Sequence, residues 1–310
     1  MKSKRMVSWI IRIAGLLLSG LFIYLTVHYF SLETVTRVSI ELIYSPLWLG
    51  VMMSTYALSF CVKAYVWQSY IGEKGSFAPY WSGIHYALFM NHILPFKTGD
   101  VVRAGVIKGA KPLSWEQSVS SVVAMRVLDL GGLVLLAGIG TFLYMDTFFY
   151  VGMIALIAMV LLVIALPFRT KHVLRKSVFQ SMVHFSSTLL SIKGLFLFGL
   201  ILLSWVLEGF AIYSVGRIAI EGIGFFEAVW ATSVAVVSGV FQVTPGNIAG
   251  YESVQSYALT FIDVPIETGY TIAIITHVFK FMYAYVTGVI SFYLTPVSST
   301  VVKRWLKRRG

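Results

Sequence analysis

The stretch NHILPFKTGDVVR, residues Asn91–Arg103, interrupts a chain whose neighbouring segments are apolar for long runs. Pro95 removes a backbone donor and breaks a helix, while Gly99 permits close backbone approach or a positive φ. Backbone groups freed at bilayer depth must be satisfied by protein or by a water-filled cavity. The stretch therefore reads as a broken helix beside a cavity, with Lys97, Asp100 and Arg103 at its edge. Arg103 is suited to bidentate binding of a phosphate. The bland alternative is a cytoplasmic loop whose charges are simply solvated.

Composition decides between these environments. The chain has 310 residues, of which 58% are hydrophobic and only 12% charged, which excludes a soluble globular domain. Its apolar runs extend without period-2 alternation, which excludes a transmembrane barrel. An all-α polytopic membrane protein remains. The one cysteine, Cys61, cannot form an intrachain disulfide and reads as packing. The first apolar run follows a basic MKSKR start, is too long for a signal peptide and has no small-residue cleavage site, so an uncleaved span is expected. No Walker-type loop or spaced metal-ligand cluster occurs, and no polar segment is long enough for a catalytic domain. No cofactor and no metal are expected, and any energy source must be a gradient.

Six segments are long enough for full crossings, roughly 8–30, 45–70, 115–144, 147–168, 194–217 and 267–295, against the ~20 apolar residues a bilayer needs. Counting them puts Lys2, Lys4, Arg5, Lys108, Lys111, Arg169, Lys171, Arg175, Lys176, Lys193 and the tail VVKRWLKRRG on one side. The other side collects Glu33, Glu41, Asp146, Glu221, Glu227, Asp263 and Glu267, with Arg37 and Arg217 its only cations. Basic loops stay in the cytoplasm, so both termini are expected inside, in a cell membrane. Two further segments, roughly 78–112 and 225–262, break at a proline and enter from opposite faces. They rhyme: Pro95, Gly99 and Asp100 match Pro245, Gly250 and Glu252. The pair reads as a weak inverted repeat, the arrangement in which discontinuous helices meet at a binding site; two unrelated loops with ordinary turn chemistry are the alternative. Residues 169–193 alternate basic and apolar positions and read as an amphipathic helix on the cytoplasmic leaflet, and 297–310 as a basic cytoplasmic tail. The whole of 1–310 is expected to form a single integral membrane domain.

Charges inside the spans point to a polar interior. A lone charge at mid-span costs ~2.5–3.5 kcal/mol by insertion scales, so such residues pair or line a cavity. Arg126 and Asp129 lie at i and i+3 on one helix face, where a structural salt bridge is nearly as good a reading as a site. Glu208 and Lys280 are buried in later spans, and either Glu208 or Asp129 is a natural partner for Lys280. His277 reads first as a packed polar residue and only second as a proton relay. In TPGNIAGYESV, Pro245 breaks the helix, and Gly246, Asn247 and Gly250 offer free amides at a new helix start, suited to an anion. Glu252 complicates that picture, since it could equally hold Arg126, Arg103 or a cationic head group.

Taken together, three motifs resemble a known family. ILPFKTGDVVR, preceded by Asn91, resembles the N-x-x-x-P-x-[RK]-x-G-[ED]-x-x-R signature of the lysylphosphatidylglycerol synthase transmembrane-region family, MRVLDL its ER-x-x-D element, and TPGNIAGYE its PGG-x-G-x-x-E element. They stand in family order and span essentially the whole chain. This chain departs from the pattern at Lys97 for the commoner Arg, Asp100 for Glu, Met125 for Glu, and Asn247 for the second Gly. The resemblance implies a flippase-like fold, as in the membrane half of multiple peptide resistance factors, here expected without the cytosolic synthase domain and so not an enzyme on its own. The expected function is movement of a phospholipid such as lysyl-phosphatidylglycerol, or of a polyprenyl-phosphate lipid, between leaflets. The alternative is a membrane component of phosphatidylglycerol lysyltransferase-type modification, acting with a separate transferase; a third reading is an inert scaffold. Expected partners are those lipids, such a transferase and a second copy of the chain, and not nucleic acid.

Overall fold

Capping chemistry sets three of the helix starts. Ser31 accepts from the Thr34 amide at 3.2 Å, Ser191 from Gly194 at 3.2 Å, and Ser114 from Gln117 at 3.1 Å while the Gln117 side chain returns to the Ser114 amide at 2.8 Å. Each satisfies amides that the first turn leaves without partners. The structure, a computed structural model, describes residues 17, 20–72, 75–94, 98–145, 188, 191–239 and 244–296. Among these run α1 (Gly20–Tyr29), α2 (Leu32–Ile43), α3 (Pro46–Ile71), α4 (Ala78–Ile93), α5 (Gly99–Ala110), α6 (Trp115–Tyr144), α7 (Ile192–Ala219), α8 (Phe225–Ser238), α9 (Gly250–Thr260) and α10 (Ile266–Leu294). No strand occurs among the described residues.

Four helices, α3, α6, α7 and α10, are long and apolar enough to cross a membrane. They coincide with four of the six expected crossings. Of the first, 8–30, the structure describes a helix only over Gly20–Tyr29; the fourth, 147–168, lies outside the described residues, as do the 297–310 tail and nearly all of 169–193. Ser191 caps α7, so Ile192 and Lys193 belong to that helix rather than to the expected amphipathic one. Residues 32–43, between the first two expected crossings, form the amphipathic α2, which buries Val38 and Leu42 and keeps the Arg37–Glu41 pair outside.

The shorter helices form two helix–break–helix units. Sixteen residues in α4 and twelve in α5 are each too few to cross, and the chain turns back: Lys111, just past α5, reaches the Tyr80 ring near the start of α4 at 5.5 Å. The start of α4 lies where α10 ends, since the Tyr86 hydroxyl and Ser82 bond Thr295 at 3.0 Å each. The second unit, α8 and α9, has its outer ends beside the start of α10, with Ile223, Leu259 and Val264 in one apolar cluster with Ile272. The two units thus dip into the bundle from opposite faces, and their breaks meet inside it.

Candidate functional site

The first break is shaped by one glycine. A Cβ on Gly99 would stand 2.2 Å from the Ala87 carbonyl oxygen, so only glycine lets α5 start this close to α4. Its amide donates to the Asn91 side chain at 2.9 Å. Of the two roles open to Gly99 in the sequence, close approach is therefore the one used. Pro95 and Lys97 lie outside the described residues. The second break is a short 3-10 turn, Pro245–Asn247, with Gly246, Asn247 and Ala249 at φ values of +62°, +63° and +75°. Two of the amides here bond within the chain: Asn247 donates to the Thr244 carbonyl at 3.1 Å, and Ala249 to the Glu252 carboxylate at 2.8 Å. Of the three amides expected to face an anion, that of Asn247 is thus taken up within the turn.

Between the breaks lies a cavity of about 200 Å³. It has room for several waters or a small polar group. Asn91, Arg103, Arg126, Asp129, Glu208, Gly246, Asn247 and Lys280 line it, whereas Gly99, Asp100, Pro245, Gly250 and Glu252 do not. Lys63, His92, Trp205, Tyr251 and His277 also line it and were not among the expected site residues. Lys63 was detectable as a lysine inside an apolar run, which membrane burial makes conspicuous; for the others no local signal separates them from packing.

The buried charges pair between helices. Arg126 does not meet Asp129 one turn away but crosses to α5, its Nε 2.9 Å from both Asp100 oxygens and its Nη2 2.8 Å from Oδ1. Glu208 pairs with Lys63 at 2.5 Å, not with Lys280, and the same ammonium sits 3.2 Å over the Trp205 ring. Glu252 meets neither arginine; it bonds His277 at 2.7 Å. Lys280 donates to the Tyr251 hydroxyl at 2.8 Å and has no carboxylate partner among the described residues.

Among the described residues two buried charges have polar atoms without a partner. Arg103 is 5% exposed and stacks over Trp67 at 4.2 Å, yet its Nε and Nη2 have no hydrogen-bond partner. Asp129 Oδ1 is buried without one as well, and so is the Trp205 indole N–H. A buried polar group without a partner costs roughly 1–3 kcal/mol, more when charged. The lining therefore holds more orphan donors than acceptors, the chemistry of a receptor for an oxyanion that carries a hydrogen-bond donor of its own. No group of three or more potential metal ligands occurs among the described residues.

The family model described as "Lysylphosphatidylglycerol synthase TM region" matches residues 12–288. Neither the curated proteins nor the solved structures contain a match.

Proposed function

The chain belongs to the lysylphosphatidylglycerol synthase TM region family, and from that premise and its cavity we propose that it moves a phosphate-bearing lipid between membrane leaflets. The lipid is a phospholipid such as lysyl-phosphatidylglycerol, or a polyprenyl-phosphate lipid. The observation that carries the reading is Arg103: a guanidinium fixed on Trp67, facing the cavity, with two N–H groups unpartnered. The phosphate takes those donors, Lys280 adds the second unpaired cation, and Asp129 accepts from the rest of the head group. The acyl chains stay in lipid while the head group passes between the two breaks. In this reading the protein sits in a cell membrane with both termini cytoplasmic.

The test is leaflet exposure of fluorescent phosphatidylglycerol in vesicles containing the purified protein. The wild type is expected to accelerate exchange, and Arg103→Ala to slow it by about tenfold to a hundredfold, the worth of one or two charge-assisted hydrogen bonds. Exchange no faster than in protein-free vesicles, with every candidate lipid, overturns the proposal. The family's description names a synthase region, which favours a second reading as the membrane component of a lipid-modifying enzyme. Under that reading a separate aminoacyl-transferring protein co-purifies with the chain, and leaflet exchange stays at background.

A further inference from the structure

The ring of His277 is held between two oxygens. Nδ1 lies 2.7 Å from Glu252 Oε1, and Nε2 lies 3.0 Å from the Gly246 carbonyl. A carbonyl oxygen only accepts, an ionised carboxylate only accepts, and a neutral imidazole has one N–H to give. Both contacts exist together only when the pair carries one proton more than neutral imidazole and carboxylate. Either His277 is an imidazolium, or Glu252 is a carboxylic acid donating to Nδ1. His277 and Glu252 are 4% and 6% exposed, respectively, in a water-poor setting.

We infer that His277 and Glu252 form a proton-binding site whose occupancy closes the second helix break and raises the cavity's affinity for an anionic lipid head group. The lipid arm of this inference rests on the proposed transport reading; the proton site itself does not. When the proton leaves to cavity water, neutral imidazole and carboxylate remain, and one of the two contacts sets lone pair against lone pair. The turn it holds is already strained, with non-glycine Asn247 and Ala249 at positive φ, and Glu252 also ties down the Ala249 amide. Losing the contact to Gly246 frees that turn.

The charge balance links this event to the lipid. The groups around His277 are Glu252 and Tyr251 from α9, His92 from α4 and Lys280 from its own helix. Across the cavity α7 places Glu208, which is taken by Lys63 of α3, and the α2 charges Arg37 and Glu41 pair on the exterior, beside Glu33. Tyr251 bridges the pair and the lysine: its ring lies 4.4 Å from His277 and its hydroxyl accepts from Lys280. With the proton bound, the pair is neutral and the charge of Lys280 is uncompensated, so an anionic phosphate is favoured. With the proton lost, the pair carries a full negative charge that offsets Lys280, and the phosphate is released. Proton and anionic lipid then bind together, each raising the affinity of the other.

Phosphatidylglycerol is the probe, because a phosphodiester does not itself titrate between pH 5 and 9. Its binding to the full chain in phosphatidylcholine nanodiscs is expected to weaken by up to about tenfold per pH unit above the release point, the limit for one linked proton. His277→Gln is expected to flatten that slope, whereas His92→Gln keeps it. A wild-type affinity that does not change with pH, or a slope abolished by His92→Gln and kept by His277→Gln, overturns the inference. Should His277→Gln fail to fold, wild-type protein with a pH dye in weak buffer decides: uptake of about one proton per dihexanoyl phosphatidylglycerol bound supports the site, and no uptake removes it. Proton-linked binding without leaflet exchange sinks the transport proposal alone, and pH-independent exchange sinks this inference alone.

Discussion

Lys63 and Glu208 lie 145 positions apart in sequence and 2.5 Å apart in space, both almost fully buried. Taking two charges out of water is expensive, and their attraction offsets that cost only while both are present. Glu208→Ala is therefore expected to destabilise the protein by about 3–5 kcal/mol by leaving Lys63 alone. The double variant Lys63→Met/Glu208→Leu is expected to recover most of that loss, measured as thermal unfolding in detergent. A double variant no more stable than Glu208→Ala would mean that the pair's neighbours, above all Trp205 beneath the ammonium, hold the stability instead. This pairing was not legible in the sequence. Spacing put Arg126 and Asp129 on one helix face, from which both point into the cavity and compete for partners across it. Which carboxylate meets which cation depends on the rotation and depth of helices distant in sequence, and no local rule carries that information.

At the scale of the elements the sequence was far more informative, because a helix break is a local event. Proline, glycine and clustered polar residues inside apolar runs placed both breaks, and the uninterrupted runs placed α3, α6, α7 and α10. The 32–43 segment was missed because its twelve residues mix three charges with apolar positions and fall short of a membrane crossing. Only its burial of Val38 and Leu42 against the bundle gives it a helix's reason to form. The first break also yields a firm expectation. A methyl group on Gly99 would meet the Ala87 carbonyl oxygen and carbon at 2.2 and 2.8 Å, both backbone atoms that cannot rotate away. Gly99→Ala must push α5 off α4, at about 1–3 kcal/mol for overpacking, and with it Asp100 away from Arg126. Reduced thermal stability is expected together with weakened phosphatidylglycerol binding. Val101→Gly, on the exposed side of the same helix, is the comparison: it tests whether mere loss of helix propensity, under about 1 kcal/mol, gives the same defect.

For the whole molecule, the two breaks enter from opposite faces and the charges outside the spans are unequally shared. Lys and Arg dominate the sequence ends and the segment between Arg169 and Lys193, while Glu33, Glu41, Glu221, Asp263 and Glu267 cluster on the other side of the expected crossings. In the proposed orientation, retention of basic segments in the cytoplasm puts both termini inside and α2 against the outer leaflet. The chain's single cysteine makes this directly measurable. In a Cys61→Ser background, Glu41→Cys, on the exposed side of α2, is expected to react with a membrane-impermeant maleimide in intact cells. Ser3→Cys and Ser299→Cys are expected to react only after permeabilisation. Labelling of either terminal position in intact cells reverses or splits the orientation, and it would move the mouth of the α4–α5 unit from the cytoplasmic face to the outside, reversing the leaflet from which each break is reached.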